Sequence, residues 1–201
     1  MTIRILLADD QALVRGALAA LLNLEPDLQV VAEVGRGDEV LDAARQGVDV
    51  CVLDIEMPGQ DGIGACQQIV SQLPDVKVLI VTTFARPGYL RRALEAGALG
   101  YVVKDTPAEQ LAEAVRRVHA GERVIDPTLA GEALSLAENP LTEREQDVLR
   151  AALSGATVHD IAARVHLSEG TVRNYLSSAI AKTGAATRVE AAQRASANGW
   201  L

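Results

Sequence analysis

The 201-residue sequence has two cysteines, Cys51 and Cys66, and they do not form a metal-spaced set. No His/Cys cluster is available for zinc. Cys51 stands inside an apolar run and reads as a small buried hydrophobe rather than a disulfide partner. No apolar run is long enough to cross a bilayer. The first one, in MTIRILLADDQ, is short and ends on Asp9 and Asp10, so neither a signal peptide nor membrane insertion is expected, and the protein reads as cytoplasmic. Gly and Pro are ordinary in number, at 16 and 7, which excludes fibrous and broadly disordered classes. Positive charge is also short: the net charge is −8, which at first argues against a nucleic-acid partner.

That charge is unevenly spread. Residues 1–139 hold 12 basic and 21 acidic side chains, net −9, whereas residues 140–201 hold 7 and 6, net +1. The chain is therefore bipartite. A surplus of one charge is a weak footprint for a DNA binder, and dimerisation or local clustering has to supplement it. Hydrophobic residues make up 49% of the chain, enough to bury a core.

The first part alternates short apolar runs with segments of helical period. Strands are expected at 3–8, 28–34, 48–54, 76–83 and 100–104. Helices are expected at about 11–23, 38–46, 62–72, 87–96 and 107–120, with Pro87 in a first turn and Gly47, Gly97 and Gly121 as stops. Five βα units make an α/β, doubly wound parallel sheet with helices on both faces. In such sheets ligands gather at the carboxyl ends of the strands.

Asp9 and Asp10 follow strand one, Asp54 follows strand three, Thr82 and Thr83 end strand four, and Lys104 follows strand five. Any single Asp after a strand is as readily a cap or turn residue. Taken together, three carboxylates, a hydroxyl and an ammonium on one edge suggest a pocket for a hard divalent cation held by oxygen, which suits Mg²⁺.

These residues resemble the receiver domain of bacterial response regulators over residues 1–121. The match comprises Asp9-Asp10, the D-I-x-M-P-G-x-D-G segment from Asp54, Thr82, and Tyr101 three residues before Lys104. The resemblance implies that Asp54 accepts a phosphoryl group from a sensor histidine kinase. It implies that Asp10, Asp54 and the main-chain carbonyl of Glu56 ligate Mg²⁺, with Asp9 acting through water and Lys104 pairing with the phosphoryl group. Thr82 and Tyr101 then correspond to the switch pair, Thr82 moving inward and Tyr101 filling the vacated space. Glu56 stands where the family tunes dephosphorylation, by repelling or by orienting water.

Residues 122–139 mix Pro, Gly and acidic side chains and read as a partly helical linker, with a short helix at about 128–137. Beyond it, Thr142 and Glu145 have capping-box spacing. Val148, Leu149, Ala152 and Leu153 give the apolar face of the helix that follows. A second helix at 157–166 turns inward Ile161, Ala162 and Val165, and a third begins at Ser168. Two short helices joined by a tight turn form a helix-turn-helix pattern, whose second member reads the major groove. Residues 140–201 resemble the output domain of the NarL/LuxR class through L-T-x-R-E, D-I-A, L-S-x-x-T-V-R-N-Y, K-T-G and a closing helix at 187–198.

Core spacing of Val172, Leu176 and Ile180 puts Arg173, Asn174 and Ser177 on the outer side, where they resemble base-contact positions. Ser168, Thr171 and Lys182 resemble phosphate contacts. The sequence departs from the class at Tyr175, commonly His, and at Ser177, frequently basic. FARPGY at 84–89 and the closing NGWL resemble a narrower group, regulators of membrane-lipid desaturation under a thermosensing kinase.

The first helix, QALVRGALAALLN, is apolar nearly all round. Val14, Ala17, Leu18 and Leu21 fill its inward face, which leaves Leu13, Ala20 and Leu24. Scattered surface apolars explain these, or they form a dimer patch with Leu111 and Ala112 of the last receiver helix. The expected function is that of a phosphorylation-activated regulator that binds double-stranded operator DNA as a homodimer. As an enzyme it would do no more than take up a phosphoryl group with Mg²⁺ and lose it slowly. The competing class is a phosphatase with Asp54 as nucleophile, which leaves the helix-turn-helix unexplained.

Overall fold

The apolar runs form strands, and four of them stop where a carboxylate, a hydroxyl or an ammonium arrives: at Asp9, Asp54, Thr82 and Lys104. The computed structural model describes residues 2–83, 87–125 and 139–201. These fall into two compact units. The first holds a parallel sheet of β1 (Ile3–Ala8), β2 (Leu28–Val34), β3 (Val50–Leu53), β4 (Lys77–Thr82), β5 (Gly100–Val103) and β6 (Val124–Ile125), in the order β2-β1-β3-β4-β5-β6. The helices are α1 (Ala12–Leu22), α2 (Val40–Ala44), α3 (Gly62–Gln72), α4 (Pro87–Glu95) and α5 (Ala108–His119). A 3₁₀ turn, Gly37–Glu39, takes the place of the expected first turn of α2. No helix among the described residues is long and apolar enough to cross a membrane.

The strand order reverses between β1 and β3, which are neighbours although β2 separates them in the chain. This is the switch point at which parallel sheets open a crevice. Ile5, Leu7, Val50, Val52, Leu79 and Val81 point to one face and pack with Ala19 and Leu22 of α1 and with Leu111, Ala112, Val115 and Val118 of α5. Each Leu or Val so buried stabilises the fold by roughly 1.5–3 kcal/mol. By alternation, Leu6, Cys51, Ile80, Thr82 and Tyr101 point to the opposite face, and all are buried. Both cysteines are free and buried, which pushes each thiol up to about 12.

Two expectations about this unit are corrected. The first domain does not stop at Gly121: Val124 and Ile125 pair with Gly100 and Tyr101 as a sixth strand. A two-residue strand has no period for a sequence reading to detect. The inward face of α1 carries Ala19 and Leu22, with Leu18 packed partly against the core, while Ala17 and Leu21 are exposed and Val14 is half-buried. The helix is turned by about one position from the expected register. The helix expected at 128–137 lies outside the described residues, as do residues 84–86 of FARPGY.

The loop after β3 is clamped by glycines. Gly62 begins α3 and donates its N–H to the Ile55 carbonyl at 2.9 Å; a Cβ there would lie 1.9 Å from the Asp54 carbonyl oxygen. Gly37 meets the loop from its other side, donating to the Pro58 carbonyl at 3.1 Å, and a Cβ there would lie 1.9 Å from the Gln60 carbonyl oxygen. Only glycine permits such approaches.

The second unit holds α6 (Glu143–Ala152), α7 (Val158–Val165), α8 (Glu169–Thr183) and α9 (Arg188–Ala197). Thr142, Thr157, Ser168 and Thr187 cap their N-termini with side-chain oxygens, so every start is set by the sequence locally. Between α7 and α8, His166 takes a left-handed conformation at φ 55°, which makes the turn tight. The core is built from Val148, Leu149, Ala152, Ile161, Val172, Leu176 and the alanines of α9. Ala151 rather than Leu153 completes the inner face of α6, and Ala179 joins that of α8, with Ile180 half-buried against the same core.

Candidate functional site

Lys104 ends β5 and reaches back across the strand ends. Its Nζ lies 2.7 Å from Asp9 Oδ2 and 2.8 Å from Asp54 Oδ2. Asp54 is buried, at 4% exposure. Its Oδ1 accepts the Ile55 N–H at 2.7 Å, while Asp9 Oδ1 accepts the Gln11 N–H at 2.9 Å. Burial pulls the Lys104 ammonium down, but the hydrogen bonds it donates to Asp54 and Asp9 outweigh this and hold its pKa above the ordinary lysine value. The lysine therefore stays charged. Asp10, exposed, brings a third carboxylate, and ligand oxygens of Asp9, Asp10 and Asp54 lie within 4.8 Å of one another.

Three carboxylates against one ammonium leave two negative charges concentrated at the switch point. That surplus is costly unless a cation joins it. The donor set is all oxygen, with neither imidazole nor thiolate, and suits a hard divalent ion such as Mg²⁺. Glu56 is exposed, two residues past Asp54. Arg15 is a neighbour that the sequence reading did not assign. Half-buried on α1, it donates from Nη1 to the Asp9 carbonyl and lies 3.5 Å from Glu33. One charged residue in an otherwise apolar helix, a turn beyond Asp10, was the available signal.

Thr82 and Tyr101 are both fully buried, on adjacent strands and on the same side of the sheet. The Lys104 N–H donates to the Thr82 carbonyl at 2.8 Å, linking the switch hydroxyl's strand to the lysine.

In the second unit, Arg173, Asn174 and Ser177 stand exposed on α8. Arg173 Nη2 donates to Glu169 Oε2 at 2.7 Å. Ser168 and Thr171 turn their hydroxyls toward each other at 2.8 Å while Ser168 caps the helix. Lys182 Nζ binds Glu145 Oε2 at 2.7 Å. Glu145, buried at the start of α6, also accepts from Ser178 at 2.6 Å and from the Thr142 N–H at 2.7 Å. Burial pushes its carboxyl up, but these bonds prevail and lower it to about 2.

The expected dimer face divides. Leu13 at 87% exposure, Leu24 at 79% and Ala20 lie open on the surface of the unit. Leu111 and Ala112, at 3% and 2%, do not, because they pack on the sheet. Arg116 fixes α5 in that orientation through bonds of 2.6 Å to Glu25 and 2.8 Å to Asp27 in the loop after α1. Those bonds hold the Asp27 carboxyl down at about 2.

Comparison with known proteins covers both units. The family model described as the response regulator receiver domain matches residues 5–116. The model described as bacterial regulatory proteins of the luxR family matches residues 139–195. Over 200 residues the chain is 45% identical to the transcriptional regulatory protein YvfU of Bacillus subtilis, covering 99% of this chain and 100% of that one. It is 43% identical to the transcriptional regulatory protein DesR of the same organism, covering 99% of each. The crystal structure of the response regulator ChrA of a heme-sensing two-component system is similar at 33% identity and a TM-score of 0.60, covering 100% of this chain and 99% of that one.

Proposed function

Because this chain belongs to the response regulators that join a receiver domain to a LuxR-type DNA-binding domain, we propose that Asp54 is the phosphoacceptor that controls its binding to DNA. It is a DNA-binding transcriptional regulator of a two-component system. One observation carries the assignment: Asp54, buried at the strand-order reversal, shares the Lys104 ammonium with Asp9 at 2.8 and 2.7 Å.

In the proposed step a carboxylate oxygen of Asp54 attacks the phosphorus of a phosphohistidine on a sensor kinase. The P–N bond breaks, and its electron pair leaves with the imidazole. Lys104 then passes from the Asp54 oxygen to a phosphoryl oxygen and offsets its charge. Asp9, Asp10, Asp54 and the Glu56 carbonyl would hold Mg²⁺, which supplies charge neutralisation for the transferring group. The new oxygens give the Thr82 hydroxyl an acceptor, and its shift is held by the inward Tyr101 ring.

The receiver runs on past residue 121 to the sixth strand, the linker follows to 139, and 140–201 binds DNA. Arg173, Asn174 and Ser177 read base edges, while Ser168, Thr171 and Lys182 touch phosphates; an ammonium keeps donors beyond the one given to Glu145. Phosphorylation promotes homodimerisation in the cytoplasm through Leu13, Ala20 and Leu24, joined by Leu21, which is 42% exposed on the same helix. Weighing the intact protein after incubation with Mg²⁺ and acetyl phosphate tests the chemistry. One added phosphoryl group at Asp54 supports it, and turnover of the donor without a labelled protein removes it.

A further inference from the structure

Glu169 is the first residue of α8, and nothing in the phosphorylation chemistry uses it. Its carboxylate is held from two helices. Oε2 accepts from Arg173 Nη2 at 2.7 Å, one turn along the same helix, and Oε1 lies 3.2 Å from Nδ1 of His159 on α7. The bond to His159, and then the bond to Arg173, lower the Glu169 pKa, so the carboxylate is charged at neutral pH. An ordinary i,i+4 ion pair on a helix surface leaves both side chains free to swing. Here the acceptor is braced across the helix-turn-helix, and the guanidinium that it holds is exposed.

We infer that Glu169 is the positioning residue for base readout by Arg173. One guanidinium nitrogen is occupied by Glu169, and the remaining donors are presented in a fixed direction toward the O6/N7 edge of a guanine. The inference rests on Arg173 being a base reader, as proposed above. A long side chain ordered before DNA arrives loses less freedom on binding, an advantage of about two- to tenfold. Glu169 also carries a negative charge at a surface that meets phosphates, so its presence lowers affinity for every sequence alike.

The two effects have opposite signs, which makes a test. The phosphorylated full-length chain, as parent, Glu169→Gln and Arg173→Ala, is allowed to bind a randomised duplex library, and preference is read position by position. Thermal unfolding checks that both variants are folded. Arg173→Ala should erase the preference at one position. Glu169→Gln should weaken that same preference by about two- to tenfold while raising affinity for unrelated duplexes. If Arg173→Ala erases a preference that Glu169→Gln leaves intact, the positioning role is wrong and base reading stands. If Arg173→Ala leaves every position unchanged, both fall.

Discussion

Each unit has a lysine held by buried carboxylate, and the two arrangements differ in balance. In the receiver, Lys104 faces Asp9 and Asp54 with Asp10 nearby, one positive charge against three negative. In the output unit, Lys182 meets Glu145 alone, and Glu145 has its remaining capacity filled by Ser178 and the Thr142 N–H. The second cluster is neutral and hydrogen-bonded throughout, so it has no uncompensated negative charge to attract a cation. The first is short of positive charge and stands to gain from a bound cation. Charge imbalance, rather than burial, separates the proposed phosphoryl site from the cluster that ties the output helices together.

The sharpest way to break this comparison is Asp54→Asn. It should abolish phosphoryl uptake, read by intact mass with acetyl phosphate and Mg²⁺, while the receiver stays folded because Lys104 keeps Asp9. Uptake at the parent's rate would move the reactive site elsewhere. The complementary change in the balanced cluster, Glu145→Ala, strands Lys182 and two hydrogen-bond partners, Ser178 and the Thr142 N–H. It should lower the stability of the output unit by about 1–3 kcal/mol in urea unfolding without slowing Asp54 phosphorylation. A variant as stable as the parent would show that the cluster is ornamental.

Leu13→Asp sets the exposed face of α1 against the pocket: phosphorylation should be unaffected, but sedimentation of the phosphorylated protein should show monomer. Charging a central contact costs at least about 2 kcal/mol of association. Dimers like the parent's would place the interface elsewhere. The pH response of the output unit is gentler. The Glu145 carboxyl stands at about 2 when folded, below its ordinary value of 4.5. Its contribution is therefore complete above pH 4.5 and declines as pH falls from there toward 2. Acid titration of the Glu145→Gln variant should lack that segment of the stability curve. The smallest effect belongs to Lys182→Ala, which should reduce the salt dependence of DNA binding by a slope of about 1, equally for all sequences. An unchanged slope would confine Lys182 to its bond with Glu145.

Much of this organisation could be read from the residues, for identifiable reasons. β1, β2 and α3 have the expected limits because Asp, Gly and Pro punctuate unbroken apolar runs. The pocket could be read because each of its members follows a strand, and parallel strands bring their carboxyl ends together. The face of α1 could not: Ala and Leu on every side left no polar stripe to fix its rotation, and the inward Arg15 works against the usual pattern. Leu111 and Ala112 were a different error. Their spacing with Val115 and Val118 already marked a core stripe, and the same residues cannot serve both a core and an interface. The sixth strand carried no signal at two residues.

The glycines flanking the Asp54 loop have a mechanical consequence. With Gly62 against the Asp54 carbonyl and Gly37 against Gln60, the loop is seated on backbone from both sides. Backbone walls of this kind are stiff, and a mounting stiff on two sides delivers displacement to its third. On the proposed chemistry, atoms added at Asp54 would therefore push toward β4, where Thr82 stands at the end of the strand, with the loop as the anvil that turns a local swelling into directed travel.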